Sequence, residues 1–195
     1  MNWGQLKTMV QSYTHRADID LNAAQIPACD RMTQVLDVQD NETVTSINLA
    51  TSTDLFGLYE APLSADYGRM KTLMIAGEIY APTSLLILAE GLGSDSQYAI
   101  SGGQIYANGS GTAVYAYGRQ IQPIASDTGS NAILTRFPRI YLYAVAIEAL
   151  IQVQDFDGAD GYTSAFQGAV DDANALQAFA KFDSSMAVTS GFRRI

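Results

Sequence analysis

Reactive side chains are scarce in this 195-residue sequence, which holds one cysteine, Cys29, and one histidine, His15. A lone cysteine excludes an intramolecular disulfide framework and gives no sign of an oxidising compartment. Charge is also sparse, 16% of residues against 48% hydrophobic, which excludes the disordered, highly charged class and supplies a sizeable core. Lys and Arg number 11 against 20 Asp and Glu, a net charge of −9, and they form no stripe that could neutralise phosphates. Sequence-specific DNA binding is therefore disfavoured. Acidity serves solubility first, and it would also let a duplex pass without sticking. The longest apolar run, residues 140–151, is broken by Glu148 and falls short of the ~20 residues that span a bilayer. Residues 1–5 lack the pattern of a signal peptide, so the reading is of a protein made in the cytoplasm, with no membrane partner.

The length suits one domain with a sub-domain inserted. Leu6, Met9, Val10 and Tyr13 share one helical face, with Asn2 placed to cap it. The polar stretch of residues 15–20 leads to a second helix beginning near Pro27, with Ile26, Cys29, Thr33 and Leu36 as its buried stripe. From residue 41 the texture turns to β-favouring residues and turn formers. Residues 104–107 and 112–117 flank the glycine-rich Asn108-Gly109-Ser110-Gly111 and predict a hairpin, while residues 84–92 are ambiguous between strand and helix. Helical periodicity returns at Phe137-Pro138 in a helix apolar nearly all round, either central in its own bundle or an interface. An Asp- and Gly-rich turn then leads to a last helix with Phe166, Val170, Ala173, Gln177 and Ala180 on one face, completing an α-hairpin. The expected fold class is α+β: an α-helical bundle formed by both chain ends (residues 1–40 and 132–183), a β-rich inserted sub-domain (41–131) and an extended C-terminal arm (184–195).

Catalysis needs convergent reactive groups, and the supply is poor. Cys29 reads as a small core hydrophobe and His15 as a solvated turn residue, in preference to a Cys–His dyad. Asp155, Asp157 and Asp160 superficially resemble a calcium loop, but an EF-hand begun at Asp155 would place Ala159, Asp160 and Phe166 where an oxygen ligand, glycine and glutamate belong. Helix-capping aspartates explain the same residues. Gly102, Gly103, Gly109 and Gly111 have no following lysine or helix and build no phosphate loop. No catalytic residue, metal ligand or cofactor site is assigned. A hydrolase using Cys29 or an acidic pair, and a glycan-binding module with exposed Tyr106, Tyr115 or Tyr117, are the rivals outside the structural class.

Several segments resemble the head-to-tail adaptor family of tailed phages, and the similarity runs over nearly the whole length. The opening Leu6 to Tyr13 with Arg16, Asp18 and Ile26-Pro27 is similar to the family's first helices. Leu63-Ser64-Ala65-Asp66-Tyr67 resembles a Leu-Pro-x-Asp-aromatic stretch, with Ser64 where proline is usual. Tyr98-Ala99-Ile100-Ser101-Gly102-Gly103-Gln104-Ile105 resembles a strand, glycine turn and strand. The most telling run, residues 131–144 through Arg136-Phe137-Pro138-Arg139, looks like the approach to the family's long central helix. The resemblance implies a structural virion protein: a ring, usually a dodecamer of itself, that docks on the portal protein, presents a platform to the tail or nozzle protein, and lets DNA pass through its lumen. Another neck or tail-completion protein is the nearest alternative. In such relatives the C-terminal segment reaches the portal, which makes Gly191, Phe192, Arg193, Arg194 and Ile195 the candidate portal-binding residues, apolar ends flanking two cations.

Overall fold

A computed structural model of the chain describes all residues except 39, 40, 53, 54, 56, 93 and 191–195, with backbone alone over 179–190. Contacts divide it into two units, Met1–Asn41 with Gln120–Ile195, and Glu42–Arg119.

In the first unit, helix α1 (Trp3–Thr14) starts from a capping box: Gln5 N–H donates to the Asn2 side chain and Asn2 N–H to that of Gln5. Trp3, Leu6 and Val10 are buried, whereas Met9 and Tyr13 are 38% and 49% exposed. Helix α2 (Leu21–Val35) does not begin near Pro27, because Asp20 Oδ1 accepts from Asn22 N–H and Ala23 N–H at 3.0 and 3.2 Å and nucleates the helix earlier. Pro27 lies inside the helix. It and Ala23, whose carbonyl its missing N–H would have met, are both exposed, so water can satisfy that carbonyl. The buried face is Ala24, Ala28, Cys29 and Met32, and Ile26 points outward. Asn174 closes the far end by donating to Val35 O and accepting from Asp37 N–H.

Helix α4 (Ala132–Arg136), capped by Asn131, leads to α5 (Pro138–Gln152), nine of whose residues are buried. Proline in the first turn forfeits no hydrogen bond, since that N–H would have had no helical partner. The buried residues of α5 pack inside its own unit, against α1, α2 and α6 (Phe156–Ser190), while Ile151 near its end is exposed. Phe166, Val170, Ala173 and Gln177 form the buried face of α6. Asp155 Oδ1 caps it by accepting from Gly158 N–H at 3.0 Å.

In the second unit, strands β1 (Glu42–Thr51), β2 (Tyr59–Pro62), β3 (Tyr67–Ile75), β4 (Glu78–Pro82), β5 (Gln97–Ser101), β6 (Gln104–Ala107) and β7 (Gly111–Arg119) close into a barrel in the order β1-β2-β6-β5-β4-β3-β7. All neighbours are antiparallel except β4 and β5. Alternation along β7 sends Ala113, Tyr115 and Tyr117 into the interior with Leu73, Ile75 and Ile105. The ambiguous segment is a short helix, α3 (Leu85–Ala89), capped by Ser84 and packed through Leu88 on Ala99 outside the barrel.

Three expectations are corrected. The fold is mixed α+β with a closed seven-stranded barrel, not an α-helical bundle carrying a β-rich insert: residues 42–119 form a sheet that buries its own core and leaves no free edge. No extended arm begins at residue 184, since α6 continues to Ser190; once a helix is nucleated, each added residue gains a backbone hydrogen bond even without an apolar stripe. The predicted hairpin fails in its pairing: β6 joins β2 and β5, and β7 joins β1 and β3. Tight hairpins form instead at β5–β6, turning at Gly102 and Gly103 with φ of 57° and 76°, and at β3–β4, turning at Ala76 and Gly77 with φ of 50° and 90°, values that suit the two left-handed positions of a type I′ turn.

Candidate functional site

Within the helical unit, the chemistry-bearing residues of α2 and α5 meet in one buried cluster. The Tyr141 hydroxyl lies 3.3 Å from Cys29 Sγ and 2.8 Å from the Gln25 amide. Trp3 stands edge-on to the Tyr141 ring at 6.3 Å and donates its indole N–H to Asn22 Oδ1 at 3.0 Å. With its amide oriented to satisfy both ends, Gln25 accepts from Tyr141 and Ile124 N–H and donates to Ile124 O. Burial pushes the Cys29 thiol up to about 11, with the Tyr141 hydrogen bond working the other way. Burial likewise raises the Tyr141 hydroxyl far above its ordinary value. A thiol so raised is a poor nucleophile at neutral pH. His15, read from the sequence as a solvated turn residue and not as a dyad partner, is an exposed left-handed residue at the end of α1, and the hydrogen-bond partner of Cys29 is Tyr141. The cluster is a satisfied core network that ties α2 to α5. Arg31 on α2 adds a charged tie, its guanidinium 2.6 Å from Glu148 on α5.

Within the barrel, the resemblance-bearing segment around Ser64 forms a second polar cluster. Asp66 Oδ1 accepts from Tyr117 Oη at 2.7 Å and from Ser64 Oγ at 2.5 Å. Ser64 N–H donates to Tyr115 Oη at 3.2 Å, and Met70 N–H to Tyr67 Oη at 2.8 Å. The Tyr67, Tyr117 and Tyr115 rings follow one another at centroid spacings of 5.8 and 5.4 Å. The hydrogen bonds from Ser64 and Tyr117 hold the Asp66 carboxyl below its usual range. Tyr115 and Tyr117 are 2% exposed and Tyr106 is half-buried beside Leu58 and Ala99, so these tyrosines do not make an exposed glycan-stacking face. The cluster fastens the loop before β3 to the barrel interior. The sequence reading quoted Asp66 only within the resemblance-bearing segment and could not pair it with Tyr117, 51 residues away.

What the chain offers to partners is surface. Val114 on β7, Met74 on β3 and Ile79 on β4 stand in register across the outside of the barrel, with Ile79 70% exposed. Among the described residues no group of three His, Cys, Asp or Glu is placed to hold a metal ion. Nor, among them, is any helix long and apolar enough to cross a membrane. The candidate portal-binding residues Gly191, Phe192, Arg193, Arg194 and Ile195 lie outside the described residues.

No curated protein matches the sequence. A family model does, described as SU10 adaptor protein, over residues 1–191. The match spans the whole second unit and all but the last four residues of the first, and the chain belongs to the SU10 adaptor protein family of phage head-to-tail adaptors.

Proposed function

We propose that this chain forms a ring, usually of twelve copies in such adaptors, that docks beneath the portal and joins it to the tail or nozzle protein, with DNA passing through the lumen. The observation that carries the reading is the match to a structural adaptor family across residues 1–191. Two physical features support it. The polar clusters of both units are spent on fastening elements together, and the barrel keeps an apolar strip in water through Val114 and Ile79. The net charge of −9 favours a lumen that repels the phosphate backbone over one that grips it.

Residues 191–195 are the proposed portal contact: Phe192 and Ile195 bury apolar surface while Arg193 and Arg194 pair with carboxylates. The test is co-sedimentation with cognate portal rings. The full chain should pellet with them, and a chain ending at Ser190 should not. If the shortened chain pellets as well as the full one, the assignment of that segment is wrong. If the full chain stays in the supernatant, the adaptor role is wrong.

A further inference from the structure

The connection from β4 to β5 lies outside the barrel and buries only one side of its apolar residues. Leu88 and Leu85 of α3 pack with Leu58, Ala99 and Tyr106. Leu86 and Ile87 stay outside that core, 67% and 41% exposed. Leu92, 72% exposed, is folded back beside them, its N–H donating to Ile87 O at 3.2 Å. Exposed apolar side chains scattered singly are ordinary, but three gathered on one connection make a patch of the kind that marks a contact surface.

Charge around the patch has one sign. Residues 72–118 contain no Lys or Arg, and their three acids, Glu78, Glu90 and Asp95, are all exposed. Glu90 follows α3 directly, its N–H donating to Leu86 O at 3.0 Å, and Asp95 stands three residues beyond Leu92. The barrel's cations, Arg69, Lys71 and Arg119, belong to β3 and β7, and none is on β5, which α3 covers, or on its neighbours β4 and β6. Such a frame repels nucleic acid and anionic lipid, and a second copy meeting it face to face brings the same acids. We propose that Leu86, Ile87 and Leu92 dock a segment of the tail or nozzle protein in which apolar side chains are flanked by Lys and Arg. This deepens the proposed function and rests on the adaptor reading. Residues 191–195 are there assigned to the portal, and the barrel face is left for the other neighbour. The apolar centre excludes water while the carboxylates at its rim set partner and register.

The test is the affinity of the full chain, free and on its cognate portal rings, for the purified tail or nozzle protein of the same virion. Binding should weaken as salt rises. The double variant Leu86→Asp, Leu92→Asp should bind about thirtyfold more weakly or worse, the scale of losing a buried anchor. Glu90→Lys with Asp95→Lys should lose about tenfold or more, and Glu90→Gln with Asp95→Asn less than that. All four side chains are exposed, so circular dichroism and melting temperature should stay at the wild-type values. Val44→Asp, on β1 three strands round the barrel and 68% exposed, should bind like the wild type. Patch variants that bind as well as the wild type, lysine variants that bind more tightly, or an equal loss in Val44→Asp overturn the proposal. So does a loss of self-association in the patch variants while the tail protein stays bound, since the occupant is then a second copy. Wild-type chain that binds portal rings but never the tail protein removes the docking surface and leaves the portal role. Binding to the tail protein alone, lost in the patch variants, does the reverse, and binding to neither removes both.

Discussion

Replacing Tyr117 by phenylalanine removes one hydroxyl from the barrel and changes almost nothing else. Its Oη donates to Asp66 at 2.7 Å, and the ring stays packed between Tyr67 and Tyr115. A hydrogen bond to a charged acceptor contributes about 1.5–3 kcal/mol. The loss here should fall toward the lower end, about 1–2 kcal/mol, because Asp66 keeps Ser64 Oγ as a donor and is only half-buried, so water can replace the lost partner. The pH dependence has a definite sign. Asp66 is depressed below the ~3.9 of an unfolded aspartate, so between the two values the unfolded chain binds more protons and stability rises with pH. The contribution is complete above the unfolded value and is lost as pH falls through the folded one. Urea titrations followed by near-ultraviolet tyrosine signal should therefore show the Tyr117→Phe penalty at pH 7 and a smaller one near about pH 3. Asp66→Asn should flatten the difference between the two conditions. A penalty below about 0.3 kcal/mol at pH 7, or one unchanged with pH, refutes the reasoning.

Ser64→Pro removes the N–H given to Tyr115 and the hydroxyl given to Asp66; it should destabilise the barrel by about 1–3 kcal/mol in urea melts, and a gain in stability would contradict the geometry. Pro27→Ala should stabilise α2 by about 1–2 kcal/mol, since it restores a donor to the Ala23 carbonyl at an exposed position; thermal melts check it. Cys29 should resist alkylation at pH 8 in the native chain and react promptly in denaturant, and rapid native labelling would contradict a buried thiol raised to about 11. Gly109→Ala would set its Cβ 1.9 Å from Tyr80 Oη and should cost about 1–3 kcal/mol, read as a lower urea midpoint.

Elements governed by neighbours in sequence were legible. The Asn2 cap, the α5–α6 hairpin and the buried face of α6 through Phe166, Val170 and Ala173 all follow from helical spacing and capping chemistry. The barrel was not, because its closure rests on pairs such as Glu42 with Gly118 that no local pattern announces. The glycines at 109 and 111 looked like a hairpin turn, yet they carry the chain between strands that pair with other partners, and Gly109 is demanded by the close approach of Tyr80. Period-two alternation at Ala113, Tyr115 and Tyr117 was visible, but which face turned inward was settled only by closure. Pro27 misled because a good cap upstream at Asp20 outweighs an exposed proline inside the helix. The Cys29–Tyr141 contact joins residues 112 apart, so the sequence could suggest a buried cysteine but not its partner.

As a member of an adaptor family, this chain is proposed to turn its surfaces to neighbouring virion proteins and to copies of itself. Electron cryomicroscopy of the purified chain mixed with its cognate portal rings tests it most directly. A second ring of the chain should stand on the portal rings, concentric with them and matched to them in stoichiometry. Portal rings that remain bare at saturating concentrations of the chain would contradict it.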